Sequence, residues 1–172
     1  ELVQEFADLQ YTTKIFKPGR SVIPPSGKVI GAKELQYMVD ASLDGWLTTG
    51  RFNRKFEIEL AKFIGIKHLI TVNSGSSANL VAFSALTSPK LGQKAIKKDD
   101  EVIAVAAGFP TTVNPIVQFG AIPVFADVNE KTGSLDPESI EQNISSRTKA
   151  ILVVHQFGIP ADMNRIMALA NK

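Results

Sequence analysis

Thr71-Val72-Asn73-Ser74-Gly75-Ser76-Ser77-Ala78-Asn79-Leu80 is the stretch on which the reading of this chain turns. Ahead of it, His68-Leu69-Ile70-Thr71-Val72 is apolar and β-branched and predicts a buried strand. Behind it, Leu80-Val81-Ala82-Phe83-Ser84-Ala85-Leu86 is apolar nearly all round and predicts a buried helix. Small residues join the two. Such a turn leaves the first N–H groups of the helix without internal acceptors, at the positive end of its dipole. Gly75 admits close approach of the backbone, and Ser76 and its neighbours add hydroxyls, which suits a phosphate. An ordinary βα turn with a serine N-cap uses the same residues, and the local pattern leaves the two readings even. Neither Gly-x-x-x-x-Gly-Lys nor Gly-x-Gly-x-x-Gly occurs, so the P-loop and the dinucleotide fingerprint are both absent.

Outward from this stretch the chain alternates. Upstream, Ala32 to Leu43 spaces Leu35, Met38, Val39 and Leu43 as one helical face, closed by Asp44-Gly45. The loop from Trp46 to Asn53 holds the lone tryptophan; its hydroxyls and Arg51 suit a polar ligand, but a Trp46 that plugs the core is the favoured reading. Asn53 reads as the cap of a helix bearing Phe56, Leu60 and Phe63 and ending at Gly65. Residues 1–30 carry little periodicity, and Lys17-Pro18-Gly19-Arg20 and Ile23-Pro24-Pro25-Ser26-Gly27-Lys28 are turn and extended signals, so the segment reads as an arm. Downstream, 87–100 reads as a solvated, lysine-bearing loop. Strands are predicted over 101–106, 122–127 and 149–154, which with 68–72 gives four. Helices are predicted from Thr111 or Thr112 to Phe119, from an Asp136 cap with Pro137 in its first turn, and over Met163 to Ala170. Strands alternating with helices mean an α/β sheet, whose ligands gather at the strand ends. The Ser74–Ser77 turn, Phe109 and His155 each follow a strand and are expected to converge on one crevice.

The 172 residues are 44% hydrophobic with a net charge of +2, which indicates a globular chain with no general attraction to nucleic acid or anionic membrane. There are no cysteines and two widely separated histidines, so thiolate chemistry, iron–sulfur ligation and a histidine-rich metal site are not expected within it. No signal peptide or membrane-length apolar run is evident, and a cytoplasmic location is the default. The chain opens without methionine and closes on a helical pattern with no following strand, which predicts a fragment of a longer protein.

With these turns side by side, the sequence resembles the pyridoxal-phosphate enzymes of the sugar aminotransferase family (DegT/DnrJ/StrS type). The resemblance lies in Gly45-Trp46-Leu47-Thr48-Thr49-Gly50, in Asn73 to Leu80, in Phe109-Pro110-Thr111-Thr112, and in His155 with Gly158. It covers roughly residues 20–172. Asp99 stands where the family usually has a glycine, in a surface turn. Ile23 to Gly31, Ser74 to Leu80, Ala106 to Pro115 and the Thr87–Gly92 insertion are most similar to the 3-dehydratases of 4-keto-6-deoxy nucleotide sugars. Gln156 to Met163 is more similar to the general aminotransferases.

The resemblance implies the three-layer αβα, aspartate-aminotransferase-like (type I) fold. Residues 1–30 would be an arm and 31–172 part of the large cofactor-binding domain. It implies pyridoxal 5'-phosphate or pyridoxamine 5'-phosphate as cofactor. The Gly75 and Ser76 amides and the Ser76 hydroxyl would hold its phosphate, Phe109 would stack on its ring, and His155 would line the strand end. No catalytic residue is assigned within the chain. The aspartate for the pyridinium nitrogen is expected downstream, followed by a lysine in an aminotransferase or a histidine in a 3-dehydratase. An iron–sulfur cluster would require downstream cysteines. A nucleotide-linked 4-keto-6-deoxy sugar as substrate, a homodimer and a reductase partner follow from the same likeness. The competing reading is a phosphate-binding α/β fragment that catalyses nothing.

Overall fold

A computed structural model describes residues 1–11, 15–24 and 26–171; Pro25 of the arm signal and Lys172 lie outside them. The chain divides into two units between Thr71 and Val72.

The first unit holds helices α1 (Leu2–Gln10), α2 (Ala32–Leu43) and α3 (Arg51–Ile64). Helix α1 lies where sequence periodicity predicts no element. Ala7 is buried there, Gln4 donates to Asp8 one turn on (3.0 Å), and Gln36 of α2 donates to Gln4 (3.3 Å). At the start of α2 the Glu34 carboxylate accepts the Gly31 N–H at 2.7 Å, half of a capping box, and that bond holds its carboxyl below the usual range. Arg51 bridges Asp40 (2.7 Å) and Asp44 (2.8 Å), lowering the Asp44 carboxyl; with all three side chains well exposed, the bridges contribute little to stability.

Two expectations in this unit are overturned. Trp46 is 65% exposed rather than a core plug, because its indole N–H donates to the Thr49 carbonyl (3.1 Å) and pins the ring along its own loop. Asn53 is not an N-cap. Helix α3 starts at Gly50, which places Asn53 inside the first turn, where its carbonyl accepts the Thr71 hydroxyl at 2.7 Å. Gly65 closes α3 at φ +77, as its position predicts.

The expected strand 68–72 is also corrected. The segment has no assigned secondary structure and no ladder partner among the described residues. The Thr71 N–H goes instead to the Glu57 carboxylate (2.8 Å), which also accepts the Thr71 hydroxyl (2.9 Å). A strand exists only where a neighbour takes its backbone groups, and here a side chain takes one of them.

The second unit runs α4 (Gly75–Leu86), β1 (Glu101–Val105), α5 (Pro110–Gln118), β2 (Ile122–Ala126), α6 (Pro137–Asn143), β3 (Thr148–Leu152) and α7 (Met163–Ala170). Three strands, not four, form a parallel sheet in the order β2-β1-β3. Central β1 is buried along its whole length and feeds two cores by alternation. Ile103 and Val105 pack with Leu135, Ile140 and Ile166 on one face; Val102 and Ala104 pack with Phe83, Ile96 and Ile116 on the other. The result is three layers, helices on both faces of a parallel sheet. Pro123, which cannot donate to a ladder, sits on the edge strand β2.

Several boundaries shift. Helix α4 forms, but only Phe83 is buried in it; Val81 and Leu86 stay open because a single helix offers the sheet one side. The 87–100 loop keeps its lysines exposed but tucks in a short 3-10 turn and buries Ala95 and Ile96. Helix α5 begins at Pro110, earlier than Thr111, since proline suits a first helical position. Strand β3 ends at Leu152, where its ladder with β1 ends, rather than at Val154. The Asp136 cap and Pro137 stand as predicted. Asp99 adopts φ +69, the left-handed region that explains a glycine preference at that turn.

Candidate functional site

The small-residue turn delivers a helix N-terminus built as its composition demands. Ser74 is extended (φ −162, ψ 162) and its hydroxyl accepts the Ser77 N–H at 3.1 Å. The first intrahelical bond runs from the Ala78 N–H to the Ser74 carbonyl (3.0 Å). The N–H groups of Gly75 and Ser76 precede both bonds and have no helical acceptor. A Cβ placed on Gly75 would meet nothing within 4 Å, so the space beside its Cα is open. The serine N-cap and the anion-binding reading therefore coexist: Ser74 caps one amide and leaves two free. These free amides and the open space fit a phosphate group.

Phe109 follows β1 as the N-cap of α5 and is 70% exposed, so it is not a core aromatic. Its turn is sterically tight. A Cβ on Gly108 would approach Val105 Cγ1 to 2.7 Å, so any side chain there would force the buried Val105 to shift. An exposed ring at a strand's carboxyl end offers a flat face for a flat heterocycle.

The Phe109 turn is tied on both sides. Pro115 lacks the N–H that would bond the Thr111 carbonyl one helical turn earlier. Asn79 of α4 supplies the missing donor, its Nδ2 lying 3.3 Å from that oxygen. On the other side, Gln156 Nε2 donates to the Ala107 carbonyl. Both residues lie in stretches that carry the resemblance, but their spacing along the chain does not point to these acceptors.

His155 follows β3, with its Nδ1 accepting the Ala161 N–H at 3.1 Å. In the neutral ring this places the proton on Nε2. Phe157, next along, is 86% exposed at φ +56. The expected convergence is partial. His155 shares a cleft of about 350 Å³ with Asn79, Thr112, Phe83 and Pro115, whereas Gly75, Ser76 and Phe109 are not among the residues lining it.

Comparison with known proteins agrees with this architecture. Residues 28–172 match the DegT/DnrJ/EryC1/StrS aminotransferase family. The lipopolysaccharide biosynthesis protein RfbH of Salmonella typhimurium is 56% identical over 172 residues, 100% of this chain and 39% of that protein. The dTDP-4-dehydro-2,6-dideoxy-D-glucose 3-dehydratase of Saccharopolyspora spinosa is 43% identical over 91% of this chain and 34% of its own. Among solved structures, GDP-4-keto-6-deoxymannose-3-dehydratase with a trapped PLP-glutamate geminal diamine superposes with a TM-score of 0.78. It is 31% identical over 85% of this chain and 37% of its own. The chain thus spans well under half the length of each of these proteins.

Proposed function

As the chain belongs to the DegT/DnrJ/EryC1/StrS aminotransferase family, we propose that it is part of a pyridoxal- or pyridoxamine-phosphate enzyme that removes the C3 hydroxyl of a nucleotide-linked 4-keto-6-deoxy sugar. Residues 31–172 would form part of its large cofactor-binding domain and residues 1–30 an arm. The observation that carries the reading is the pair of amides at Gly75 and Ser76 left without a helical acceptor, together with an exposed Phe109 in the turn after β1. Those amides and the Ser76 hydroxyl hold the cofactor's phosphate, and Phe109 covers its ring. When bound, the cofactor supplies an electron sink for bond breaking at the sugar. His155 lies beyond the end of β3, in a cleft shared with Asn79, and has no assigned catalytic role.

The proton-moving residue belongs to the portion of the protein beyond this chain. A histidine there would go with loss of the hydroxyl; a lysine would go with amino transfer to the same ketone, the alternative chemistry within this family. The enzyme acts in the cytoplasm as a homodimer, with a reductase as partner in dideoxysugar formation for a surface polysaccharide. Among the described residues no helix is long and apolar enough to cross a membrane.

The test is to incubate the full-length protein with pyridoxamine phosphate and a nucleotide-linked 4-keto-6-deoxy hexose and to weigh the product. Loss of the C3 oxygen is expected. Gain of an amine in the presence of an amino donor would replace the dehydratase reading with the aminotransferase one. No cofactor uptake at all would leave a phosphate-binding fragment without chemistry.

A further inference from the structure

We propose that Asn79 and Gln156 form an amide clamp that positions Phe109, gripping the carbonyls on either side of it, one from helix α4 and the other from the turn after His155. Phe109 sits between Ala107 and Thr111, two residues from each. Gln156 Nε2 donates to the Ala107 carbonyl and Asn79 Nδ2 donates to the Thr111 carbonyl at 3.3 Å. Both acceptors need an outside donor. The β1–β3 ladder ends at the Ala104–Leu152 pair, so Ala107 lies beyond any strand partner on that side. The Thr111 carbonyl is orphaned by Pro115, which interrupts α5 one turn later.

The two donors come from meaningful places. Asn79 lies in α4, the helix whose first amides stand free, so its bond fixes the Phe109 turn relative to that N-terminus. Gln156 belongs to the segment after His155. That segment is itself anchored by the Ala161–His155 bond, by the Ser134 hydroxyl donating to the Ile159 carbonyl (3.3 Å), and by Phe157 resting against Gly133. A largely exposed ring has little packing to hold it. The clamp supplies the missing constraint and sets the spacing between the anion-binding amides and the aromatic face. Asn79 and Gln156 are positioning residues, acting through Phe109. The inference rests on the proposed cofactor site.

The experiment uses the full-length protein and the donor-removing variants Asn79→Leu and Gln156→Met, each with Phe109 intact and in the Phe109→Ala background. Without cofactor, amide hydrogen exchange across residues 107–113 should accelerate in either variant. With Phe109 present, each should raise the dissociation constant for pyridoxal phosphate about 3- to 10-fold, the range of one net hydrogen bond. With Ala at 109 the same changes should alter it by no more than about twofold, since the group they position is gone. Unchanged exchange across 107–113, or an equal loss of affinity in both backgrounds, would overturn the clamp. If the wild-type protein takes up no pyridoxal phosphate, the cofactor reading falls while the exchange measurement still decides the clamp. Should Gln156→Met fail to fold, Gln156→Glu keeps the length, loses the donor and carries the same measurements.

Discussion

Val102-Ile103-Ala104-Val105 and Leu69-Ile70-Thr71-Val72 are chemically alike, short and β-branched. The first is sealed between two parallel neighbours and two layers of helix. The second has no strand partner among the described residues, with Ile70 68% exposed and the Thr71 N–H held by a carboxylate. Strand propensity describes a surface ready to be half-buried; a neighbouring backbone is what completes it. The same contrast recurs between the two ligand-edge turns. Gly108 is a glycine because the protein itself crowds it, whereas the space around Gly75 is empty.

Truncating one side chain in each segment should separate them most. Ile103→Ala should cost about 2–5 kcal/mol in a urea melt, because the cavity falls in a closed core. Ile70→Ala should stay within about 0.5 kcal/mol. A cost at Ile70 approaching that at Ile103 would mean that Ile70 meets a neighbour outside these residues, and the two segments would then be equivalent strands.

The glycines come next. Gly108→Ala should destabilise by about 1–3 kcal/mol through the clash with Val105, even without ligand. Gly75→Val should leave the fold nearly as stable but raise the dissociation constant for pyridoxal phosphate in the full-length protein, since its side chain enters the open space beside the Gly75 backbone. Unchanged affinity in a folded Gly75→Val protein would remove the phosphate from that turn. Phe109→Ala should cost a similar or smaller amount of binding, about 0.5–1.5 kcal/mol beyond the lost contact area, with little change in the melt. A large loss of stability would instead make Phe109 a structural residue.

The smallest effect should be on pH dependence. Bonds from Thr71, the backbone N–H first and the hydroxyl second, hold the Glu57 carboxyl below its ordinary value of 4.5. Their contribution is complete above that ordinary value and is lost as the pH falls through the depressed native one. Urea midpoints of the wild type should therefore drop more steeply in acid than those of Glu57→Gln. Parallel acid limbs would show that the Thr71 contact does not hold this segment in solution.

Much of this was legible along the chain. The helices closing at Gly65 and Gly120, the Asp136 cap and the α/β alternation are local features written in three or four residues each. So was the order of the small-residue turn, Phe109 and His155, which carried the family resemblance that residues 28–172 bear out. Helix α1 escaped because it is short and buries a single alanine, and Trp46 misled because residue type does not tell whether a nearby carbonyl will catch an indole.

Asn79 and Gln156 lie within stretches that carried the resemblance, but nothing along the chain pointed to the bonds they make. Their partners are carbonyls 32 and 49 residues away, and one of those is free only because a proline sits in the next turn. Features that depend on neighbours along the chain could be read from residue order alone: helix starts and stops, and the first amides of the helix after the small-residue turn. The tertiary structure alone decided which apolar stretch became a strand and what holds Phe109 in place. Both depend on backbone groups meeting partners distant in sequence, and a backbone N–H or C=O is the same at every position until the fold brings its partner to it.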